Sequence, residues 1–370
     1  MKSRCPVMVA AGGTGGHLFP AAALSHALIA RGMEVHLVTD ERAGNYSGDF
    51  PAHAIHKVVA ATPSSGALYS RALAIFTLVR GTVAARRLVK RIRPHAAIGF
   101  GGYPTVPPML AATQLRVPTL LHEGNAVIGR ANRFLASRVD AIAQGFEVLG
   151  GLPGTLAAKT HLTGNPVRPM VIEAALVAFP ECSGGKLRIL VTGGSQGATI
   201  FSGVVPAAVE LMPEAARQQL VIVQQARGAD AEWVRDTYRR LGVDAEVRSF
   251  FSDLPGRIAQ AHLVIARAGA STVSELAVIG RPAILVPLPH ALDQDQAANA
   301  RRFAATGAAI VVAQSAFSPQ WLATAIVEAQ GDMISLARRA AAAKQAGISD
   351  AAERLADLVQ GLMRDKDKNP

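Results

Sequence analysis

Two glycine-rich turns, residues 12–17 (Gly-Gly-Thr-Gly-Gly-His) and residues 193–198 (Gly-Gly-Ser-Gln-Gly-Ala), stand about half a chain apart. Each turn follows a short apolar run and precedes a stretch with helical character. Glycine lets the backbone approach a ligand closely, and the N–H groups that open a helix attract anions. The sequence therefore predicts a phosphate-binding turn in each half of the chain, with a purely structural tight turn as the alternative.

Further polar and glycine-rich residues follow two other strand-like runs of the first half. Residues 99–104 (Gly-Phe-Gly-Gly-Tyr-Pro) form a third glycine turn, and residues 122–125 read His-Glu-Gly-Asn. Open α/β sheets place their sites where strands end, so a second anion-binding turn and a hydroxyl-binding pair are expected there. A plain turn and a loop or helix-capping carboxylate at Glu123 remain the alternatives.

Two residues of the first half are candidates for a general base. His17 lies just inside the predicted start of a helix, and a neutral imidazole accepts protons near pH 7. Glu123 is the second candidate, because a carboxylate at a strand end can also accept a proton.

The second half has a comparable arrangement after its own apolar strands. In residues 267–275 (Arg-Ala-Gly-Ala-Ser-Thr-Val-Ser-Glu), small residues open a helix whose N–H groups can hold a phosphate. Glu275 is expected on the first helical turn, where it could bind ribose hydroxyls or simply complement the helix dipole. Residues 287–299 are rich in Asp, Gln and Asn, which suits a polyhydroxylated ligand or, alternatively, an ordinary surface loop.

Short apolar strands alternate with helical patterns along the whole chain, which predicts parallel sheets with right-handed crossovers. The predicted fold class is α/β, with two Rossmann-like domains whose parallel sheets face a cleft. The boundary is placed at the turn-forming tripeptide Gly164-Asn165-Pro166, giving domains at residues 1–164 and 165–344. An amphipathic helix at about residues 345–363 is expected to pack back on the first domain, and residues 364–370 to form a flexible tail.

Charge is distributed very unevenly over the 370 residues. The chain has a net charge of +11, of which residues 1–164 carry +10, and no carboxylate lies between Asp49 and Glu123. This asymmetry predicts an anionic partner for the first half alone. Cys5 and Cys182 are the only cysteines, so a disulfide framework is not expected and a reducing cytoplasm fits. We expect neither a metal nor another cofactor.

Five motifs occur in order over essentially the whole chain. They are Gly-Gly-Thr-Gly-Gly-His (12–17), His-Glu-x-Asn (122–125), Gly-Asn-Pro-Val-Arg (164–168), Gly-Gly-Ser-Gln-Gly-Ala (193–198) and Arg-Ala-Gly-Ala-Ser-Thr-Val-Ser-Glu (267–275). Together they resemble the MurG family of N-acetylglucosaminyltransferases. The resemblance implies the GT-B fold and inverting transfer of GlcNAc from UDP-GlcNAc to the MurNAc C4 hydroxyl of undecaprenyl-diphosphoryl-MurNAc-pentapeptide (lipid I), which gives lipid II. The family commonly has Gln where this chain has Gly124.

The resemblance also implies a role for individual residues. Ser195 and Arg168 would approach the UDP phosphates, Phe251 would present its backbone to uracil, Glu275 would bind the ribose, and Gln296 would bind GlcNAc hydroxyls. The full set of implied donor-binding residues is Thr14, Gly15, Gly16, Asn125, Arg168, Ser195, Phe251, Ala270, Ser271, Thr272, Glu275 and Gln296, with Gln294 as the alternative to Gln296. The residues implied for the acceptor diphosphate are Gly13, Gly101, Gly102 and Tyr103.

The implied partners are UDP-GlcNAc, lipid I, the anionic cytoplasmic face of the bacterial inner membrane, and cell-wall and division machinery. Residues 68–93 mix apolar side chains with seven Arg or Lys residues and no acid, which is typical of a helix that lies on a membrane surface. A core-packing helix with a solvated basic face is the alternative. We expect a peripheral membrane enzyme that binds no nucleic acid.

Three other functions compete with this interpretation. A nicotinamide dehydrogenase is disfavoured because no G-x-G-x-x-G opens either half. A nucleic-acid-binding protein would fit the sequence pI of about 10.2, but the basic residues are interleaved with aliphatic rather than aromatic side chains. Another UDP-sugar enzyme of the same fold, such as an epimerase or a glycolipid synthase, is disfavoured by the motifs assigned to the acceptor.

Overall fold

The computed structural model describes residues 5–12, 14–41, 50–58, 68–181, 185–194, 197–289 and 294–368. The chain forms two compact units, Met1–Arg168 together with Ser349–Pro370, and Pro169–Ile348. Each unit is an α/β domain built on one parallel sheet, as the alternation of apolar strands and helices predicts.

Thirteen strands are present in the described residues. They are β1 (Pro6–Ala10), β2 (Glu34–Thr39), β3 (Ala54–Lys57), β4 (Ala96–Gly99), β5 (Thr119–Glu123), β6 (Ala141–Gln144), β7 (Thr160–Leu162), β8 (Leu187–Thr192), β9 (Leu220–Gln225), β10 (Asp244–Arg248), β11 (Leu263–Ala266), β12 (Ala283–Leu285) and β13 (Ala309–Val311). The first sheet has the order β3-β2-β1-β4-β5-β6-β7, and the second has the order β10-β9-β8-β11-β12-β13.

The described residues also form fourteen α-helices. They are α1 (Gly15–Ala30), α2 (Leu68–Ile92), α3 (Val106–Gln114), α4 (Arg130–Leu135), α5 (Pro169–Ala174), α6 (Thr199–Leu211), α7 (Glu214–Arg217), α8 (Ala229–Arg240), α9 (Leu254–Gln260), α10 (Ala270–Ile279), α11 (Asp295–Ala305), α12 (Pro319–Gly331), α13 (Met333–Ala346) and α14 (Ala351–Lys368). Short 3-10 turns occur at Tyr103–Thr105 and Gly154–Lys159. None of these helices combines the length and the apolarity needed to cross a bilayer.

The first sheet is buried on both faces, as expected for a parallel sheet covered by helices. Alternate residues of β1 point to opposite sides. Val7 and Val9 join a core with α1 and α14, whereas Met8 and Ala10 join a core with α2, α3 and α4. The central strand therefore reads as a continuous apolar run rather than an alternating pattern.

Helix α14 belongs to the first unit although it lies at the other end of the chain. Leu355, Ala356 and Val359 are fully buried in the core that contains α1. Arg31, which follows α1, forms ion pairs of 2.5 Å with Glu353 and 2.7 Å with Asp357. The helix continues to Lys368, whereas the sequence analysis ended it at residue 363.

Both sheets change direction of winding at an internal pair of neighbouring strands. In the first sheet β1 pairs with β4, with Ala10 opposite Gly99, and in the second β8 pairs with β11, with Thr192 opposite Ala266. At such a switch point the connections leave on opposite sides, which opens a crevice beyond the carboxyl ends of the two strands. The three glycine turns found in the sequence follow β1, β4 and β8, and the small-residue segment 267–275 follows β11.

Candidate functional site

The glycine turns after β1 and β4 touch each other in the first unit. The N–H of Gly12 donates to the carbonyl of Gly101 at 3.3 Å. Gly101 and Gly102 have φ angles of +88° and +78°, in the left-handed region that favours glycine. The close approach and the unusual backbone both require glycine here, which gives this pair of turns a fixed shape.

The imidazole of His17 packs directly against the glycines of both turns. A methyl group added at Gly12 or Gly101 would lie 3.3 Å from a ring carbon of His17, and one added at Gly102 would lie 3.4 Å from its Nε2. His17 is the third residue of α1 and is half-buried. The two turns therefore hold a titratable ring at the mouth of the switch point.

The start of α1 presents backbone rather than side-chain groups. Thr14 is the N-cap residue and is exposed, and its side chain makes no capping hydrogen bond within the described structure. Gly16 has open space where a side chain would begin. An anion could thus reach the first N–H groups of this 16-residue helix. Gly13, assigned by the sequence analysis to the acceptor diphosphate, lies outside the described residues.

The carboxylate of Glu123 is almost completely buried, with 3% of the residue exposed, and accepts four hydrogen bonds. Two reach Oε1, from the backbone N–H of Asn125 at 3.0 Å and from its side-chain amide at 3.2 Å. Two reach Oε2, from the N–H of Gly129 and the amide of Asn132, each at 2.9 Å. Burial raises the pKa of Glu123, and these four hydrogen bonds oppose the rise. The geometry makes Glu123 the anchor of the loop that carries Asn125.

Asn132 is part of this site although the sequence analysis did not select it. Its amide also donates to the carbonyl of His122 at 3.1 Å, while its buried Oδ1 finds no hydrogen-bond partner among the described residues. A methyl group at Gly101 would lie 3.4 Å from its Nδ2. Its position inside a short helix, two residues after Arg130, gives no sequence signal, because only the fold brings it to Glu123.

The Gly-Asn-Pro-Val-Arg motif lies against the same region of the first unit. The Nε2 of His122 donates to the carbonyl of Gly164 at 3.2 Å, and Asn165 donates to the carbonyl of Gly124 at 2.8 Å. Burial lowers the pKa of His122 to about 4, so its imidazole stays neutral near pH 7. Since a carbonyl only accepts, the proton of this neutral ring is on Nε2.

Arg168 and Tyr103 complete the first unit's candidate residues. The guanidinium carbon of Arg168 lies 4.2 Å from the ring centroid of Phe19, one turn along α1 from Gly15. The structure thus brings Arg168 to the first glycine turn, whereas the resemblance assigns it to the UDP phosphates. Tyr103 is half-buried and opens the 3-10 turn that follows Gly102.

In the second unit the turn after β8 closes tightly on itself. A methyl group at Gly193 would lie 2.3 Å from the N of Ala198, so no other residue fits there. The amide oxygen of Gln225, at the end of β9, accepts from the Thr192 hydroxyl at 3.0 Å and from the Gly193 N–H at 3.2 Å. Ala198 precedes α6 without capping it by a side chain in the described structure. Ser195 lies outside the described residues.

Arg227 is a second residue that the sequence analysis missed. It follows β9 by two positions, and a methyl group at Gly197 would lie 3.2 Å from its Cδ and 3.3 Å from its Nε. The exposed arginine therefore lies along the glycine turn and adds positive charge beside the start of α6. The sequence signal that could have identified Arg227 is a single basic residue that follows β9, the strand next to the one that precedes the glycine turn.

The helix after β11 begins too early for Glu275 to lie on its first turn. Gly269 is extended (φ −62°, ψ 148°) and α10 starts at Ala270. Glu275 is consequently the sixth helical residue, on the second turn, and only 5% exposed. The prediction of a first-turn acid is wrong, because the helix already begins directly after Gly269, five residues before Glu275. Ala270, Ser271 and Thr272 form the first turn and are half-buried.

Gln296 and Asn299 tie the loop after β11 to α11. The Oε1 of Gln296 accepts from the N–H of Ala268 at 3.3 Å and from that of Leu288 at 3.0 Å. Asn299 donates to the carbonyl of Ala268 at 3.1 Å. With its oxygen engaged, Gln296 keeps its NH₂ group as the part that could meet a sugar hydroxyl. Gln294 is exposed and caps α11 with a left-handed backbone (φ +49°).

Phe251 lies in the middle of the connection from β10 to α9. The residue is 5% exposed, and the guanidinium of Arg257 stacks 4.5 Å from its ring centroid. With its side chain fixed inward, Phe251 can offer a ligand only backbone groups, as the resemblance implies.

Two family models match the chain. The glycosyltransferase family 28 N-terminal domain matches residues 7–144, and the glycosyltransferase family 28 C-terminal domain matches residues 188–355. Together they cover the three glycine turns and both switch points.

Curated relatives match along almost the whole length. The chain is 55% identical over 355 residues to a protein of Methylorubrum populi, covering 95% of this chain and 96% of that protein, and 54% identical over 356 residues to one of Sinorhizobium fredii, covering 96% and 95%. Both relatives are named UDP-N-acetylglucosamine--N-acetylmuramyl-(pentapeptide) pyrophosphoryl-undecaprenol N-acetylglucosamine transferase. Among solved structures, MurG of Acinetobacter baumannii is similar with a TM-score of 0.77 and 30% identity, covering 97% of this chain and 99% of that one.

Proposed function

Because the chain belongs to the MurG family of N-acetylglucosaminyltransferases, within glycosyltransferase family 28, we propose that its glycine turns bind the two diphosphate-bearing substrates of that family's reaction. The chain is an N-acetylglucosaminyltransferase of peptidoglycan synthesis. It transfers GlcNAc from UDP-GlcNAc to lipid I and forms lipid II, with the inversion that the family implies.

The observation that carries the site assignment is the same local geometry in both units. In each sheet a glycine turn follows one strand of the switch-point pair, and the other strand is followed by a second glycine turn in the first sheet and by the small-residue segment 267–275 in the second. These segments lie beside helix N-termini that no side chain caps in the described structure. Backbone N–H groups and helix dipoles at such a place stabilise a diphosphate without a metal ion.

We assign the acceptor to the first unit and the donor to the second. The first unit, Met1–Arg168 with Ser349–Pro370, would bind lipid I, and the second unit, Pro169–Ile348, would bind UDP-GlcNAc. Gly13, Gly101, Gly102 and Tyr103 would surround the acceptor diphosphate. The excess of positive charge in residues 1–164 supports this division, because lipid I and its membrane are both anionic.

His17 is the proposed general base. The acceptor's C4 oxygen attacks C1 of GlcNAc while its proton passes to the His17 imidazole; the bond between C1 and the phosphate oxygen breaks, and UDP leaves as the anion. Glu123 is the less suitable base, since all four of its hydrogen bonds come from the protein. Its proposed role is to hold Asn125 toward the donor sugar.

For the donor, Ser195 and Arg168 would meet the UDP phosphates together with the first turn of α10, which contains Ala270, Ser271 and Thr272. Phe251 would bind uracil through its backbone, and Glu275 would accept from the ribose hydroxyls. On the sugar, Gln296 would donate to a GlcNAc hydroxyl, with Thr14, Gly15, Gly16 and Asn125 completing the pocket. Arg227, beside the turn after β8, is positioned to add a further charge to the diphosphate site.

We place the enzyme at the cytoplasmic face of the inner membrane, with residues 68–93 as the attached segment. Helix α2 exposes Phe76, Val79 and Val83 to 57%, 55% and 47%, while Ala85 and Val89 are buried in the core. Sedimentation with anionic vesicles at low and high salt tests this, by comparing the unmodified protein with Arg86→Glu/Arg87→Glu/Arg91→Glu. Equal binding of both proteins at low salt would exclude this segment.

The activity itself is tested with UDP-GlcNAc and a short-chain lipid I analogue. We expect release of UDP and formation of the disaccharide product, with UDP-GalNAc as the control donor that reacts much more slowly. NADH binding with no response to UDP would instead support a dehydrogenase, and conversion of UDP-GlcNAc without an acceptor would support an epimerase.

A further inference from the structure

A cavity of about 790 Å³ lies between strand β3, at the edge of the first sheet, and helix α2. Its lining combines apolar and basic groups. The apolar part includes Ile55, Val58 and Leu88, and the basic part consists of Lys57, Arg80, Arg87 and Arg91, here called the cavity cations. None of the residues that line the cavity belongs to a glycine turn, and none has a role in the proposed reaction.

The cavity cations are not neutralised by neighbouring carboxylates. None of the described residues that line the cavity is acidic, and within the described part of the chain the four cations form no ion pair. The cavity cations carry like charges around one cavity and are exposed, so an anion bound there would reduce the repulsion between them. The site therefore fits an anionic group held by several cations at once.

His56 also lines the cavity but adds no charge near pH 7. Its Nε2 lies 3.1 Å from Nδ1 of His36, and the Nε2 of His36 lies 3.3 Å from the carboxylate of Glu34. Burial lowers the pKa of both histidines, and a proton on each would place two charges face to face. The neutral pair supplies a polar wall next to the cations.

An apolar ridge runs along α2 beside the cavity. It consists of Phe76, Val79 and Val83, which are exposed and share one face because they are three and four residues apart. Arg80, Arg87 and Arg91 recur every seven and four residues, between the ridge and the cavity, and Arg80 stacks on Phe76 at 5.7 Å. The cations therefore lie next to an exposed apolar surface, and this arrangement matches a lipid, whose charged headgroup adjoins its apolar chains.

We propose that this cavity binds the phosphodiester headgroup of a single anionic phospholipid, whose acyl chains leave along the ridge of α2 into the bilayer. The cavity cations hold the phosphate, and Thr77 and His56 offer hydrogen bonds to the rest of the headgroup. The proposal rests on the membrane attachment proposed above. It adds that the protein attaches to the membrane through a defined binding site for one lipid, rather than through the summed positive charge of the helix.

The test compares two double substitutions that remove equal charge from α2. Arg87→Gln/Arg91→Gln removes two cavity cations. Arg86→Gln/Lys90→Gln removes two exposed charges of the same helix that do not line the cavity. Binding is measured on vesicles of phosphatidylcholine with and without phosphatidylglycerol. A charge near an anionic surface contributes about 1 kcal/mol, so diffuse attraction predicts an equal loss of up to about 30-fold in both variants.

A defined lipid-binding site predicts unequal losses of vesicle affinity. The cavity variant should bind phosphatidylglycerol vesicles about ten-fold more weakly than the control variant. Equal losses would overturn the proposal while leaving membrane attachment intact. If the unmodified protein bound neither kind of vesicle, the membrane attachment itself would be wrong, which is a distinguishable outcome.

A second measurement uses monomeric short-chain phosphatidylglycerol, free of any bilayer. Ala84→Phe fills the cavity without changing its charge, and Val83→Phe adds the same bulk on the ridge, outside the cavity. We expect saturable binding to the unmodified protein and to Val83→Phe, and loss of at least about ten-fold in affinity for Ala84→Phe. Inorganic phosphate as a competitor shows whether the phosphate alone suffices. Undiminished lipid binding by Ala84→Phe would show that the cavity is not the lipid-binding site.

Discussion

At the residue scale, Glu123 illustrates how hydrogen-bond partners limit what a carboxylate can do. A base must have a lone pair directed at its substrate, and each oxygen of Glu123 already accepts two protein hydrogen bonds. The imidazole of His17 instead lies against the backbone of Gly12, Gly101 and Gly102 and is half-buried. The two candidates that the sequence could not separate therefore differ clearly in the structure.

Replacing His17 by alanine should abolish most turnover without greatly changing donor affinity. Loss of a general base costs roughly 10²–10⁴ in kcat, whereas the KM for UDP-GlcNAc should stay within about three-fold because the second unit is untouched. The control is Glu123→Gln, which presents an NH₂ group to donors and should chiefly lower the free energy of unfolding, by about 1–3 kcal/mol for each unsatisfied group. Near-normal kcat in His17→Ala would remove His17 from the role.

His122 gives the first unit a defined dependence of stability on pH. The unfolded chain binds this proton near pH 6.5, whereas the buried ring binds it only near pH 4. Between these values the unfolded state holds more protons, so stability should fall as the pH drops from about 6.5 to about 4, by up to about 3 kcal/mol. Urea unfolding across this range, with His122→Gln as the comparison, checks it; an unchanged slope in the variant would contradict this.

At the element scale, the strands could be predicted from the sequence apart from β3 and β7, the two edge strands of the first sheet. Strands β1, β4 and β8 are apolar runs because helices cover both faces of each sheet. Strands β3 (Ala-Ile-His-Lys) and β7 (Thr-His-Leu) were missed, because each is short, partly exposed and lies at a sheet edge. The glycine turns were recognisable because their chemistry is local. Asn132 and Arg227 were not, since only strand order brings them to those turns.

The turn before α6 offers a matched pair of glycine substitutions. Gly197 has a φ of +73°, and a methyl group there would press on Arg227, whereas Gly203 lies in α6 with open space around it. Gly197→Ala should destabilise the protein by about 1–2 kcal/mol and weaken UDP binding. Gly203→Ala should stabilise it by about 0.5–1 kcal/mol with unchanged activity. Thermal unfolding and UDP titration measure both; similar behaviour of the two variants would argue against a constrained turn.

Arg227 should discriminate between ligands with and without a diphosphate. A hydrogen bond to a charged group contributes about 1.5–3 kcal/mol, so Arg227→Gln should weaken UDP binding by roughly ten-fold or more. Uridine binding should not change, because it has no phosphate for the arginine to meet. Calorimetric titration of both ligands separates the two, and Arg227→Lys should retain part of the affinity. Equal loss for uridine would indicate a structural effect instead.

At the scale of the whole molecule, the same design occurs in both units. Each has a parallel sheet with an internal switch point, and each places its glycine turns there. The units differ in how their cores are completed. The second is built from one continuous stretch, whereas the first also needs the segment from Ser349 onward.

Truncating a buried side chain of α14 should therefore weaken the distant half of the sequence. Leu355 is fully buried against the core of the first unit, so Leu355→Ala should cost about 2–5 kcal/mol. Hydrogen exchange should speed up in β1 and α1 and stay unchanged in β8 and α6. The exposed neighbour substitution Arg354→Ala is the control. Faster exchange confined to β8 and α6 would contradict the assignment of α14 to the first unit.

The return of α14 to α1 also sets an order of events during protein synthesis. More than 300 residues separate the end of α1 from the start of α14. At roughly 5–20 residues per second, a ribosome needs roughly 15 to 60 s to make that stretch. During this time the apolar face of α1 that meets Leu355 and Val359 has no α14 to cover it, because the whole second unit is synthesised first. The nascent first unit is therefore the part of this enzyme that most depends on protection by chaperones.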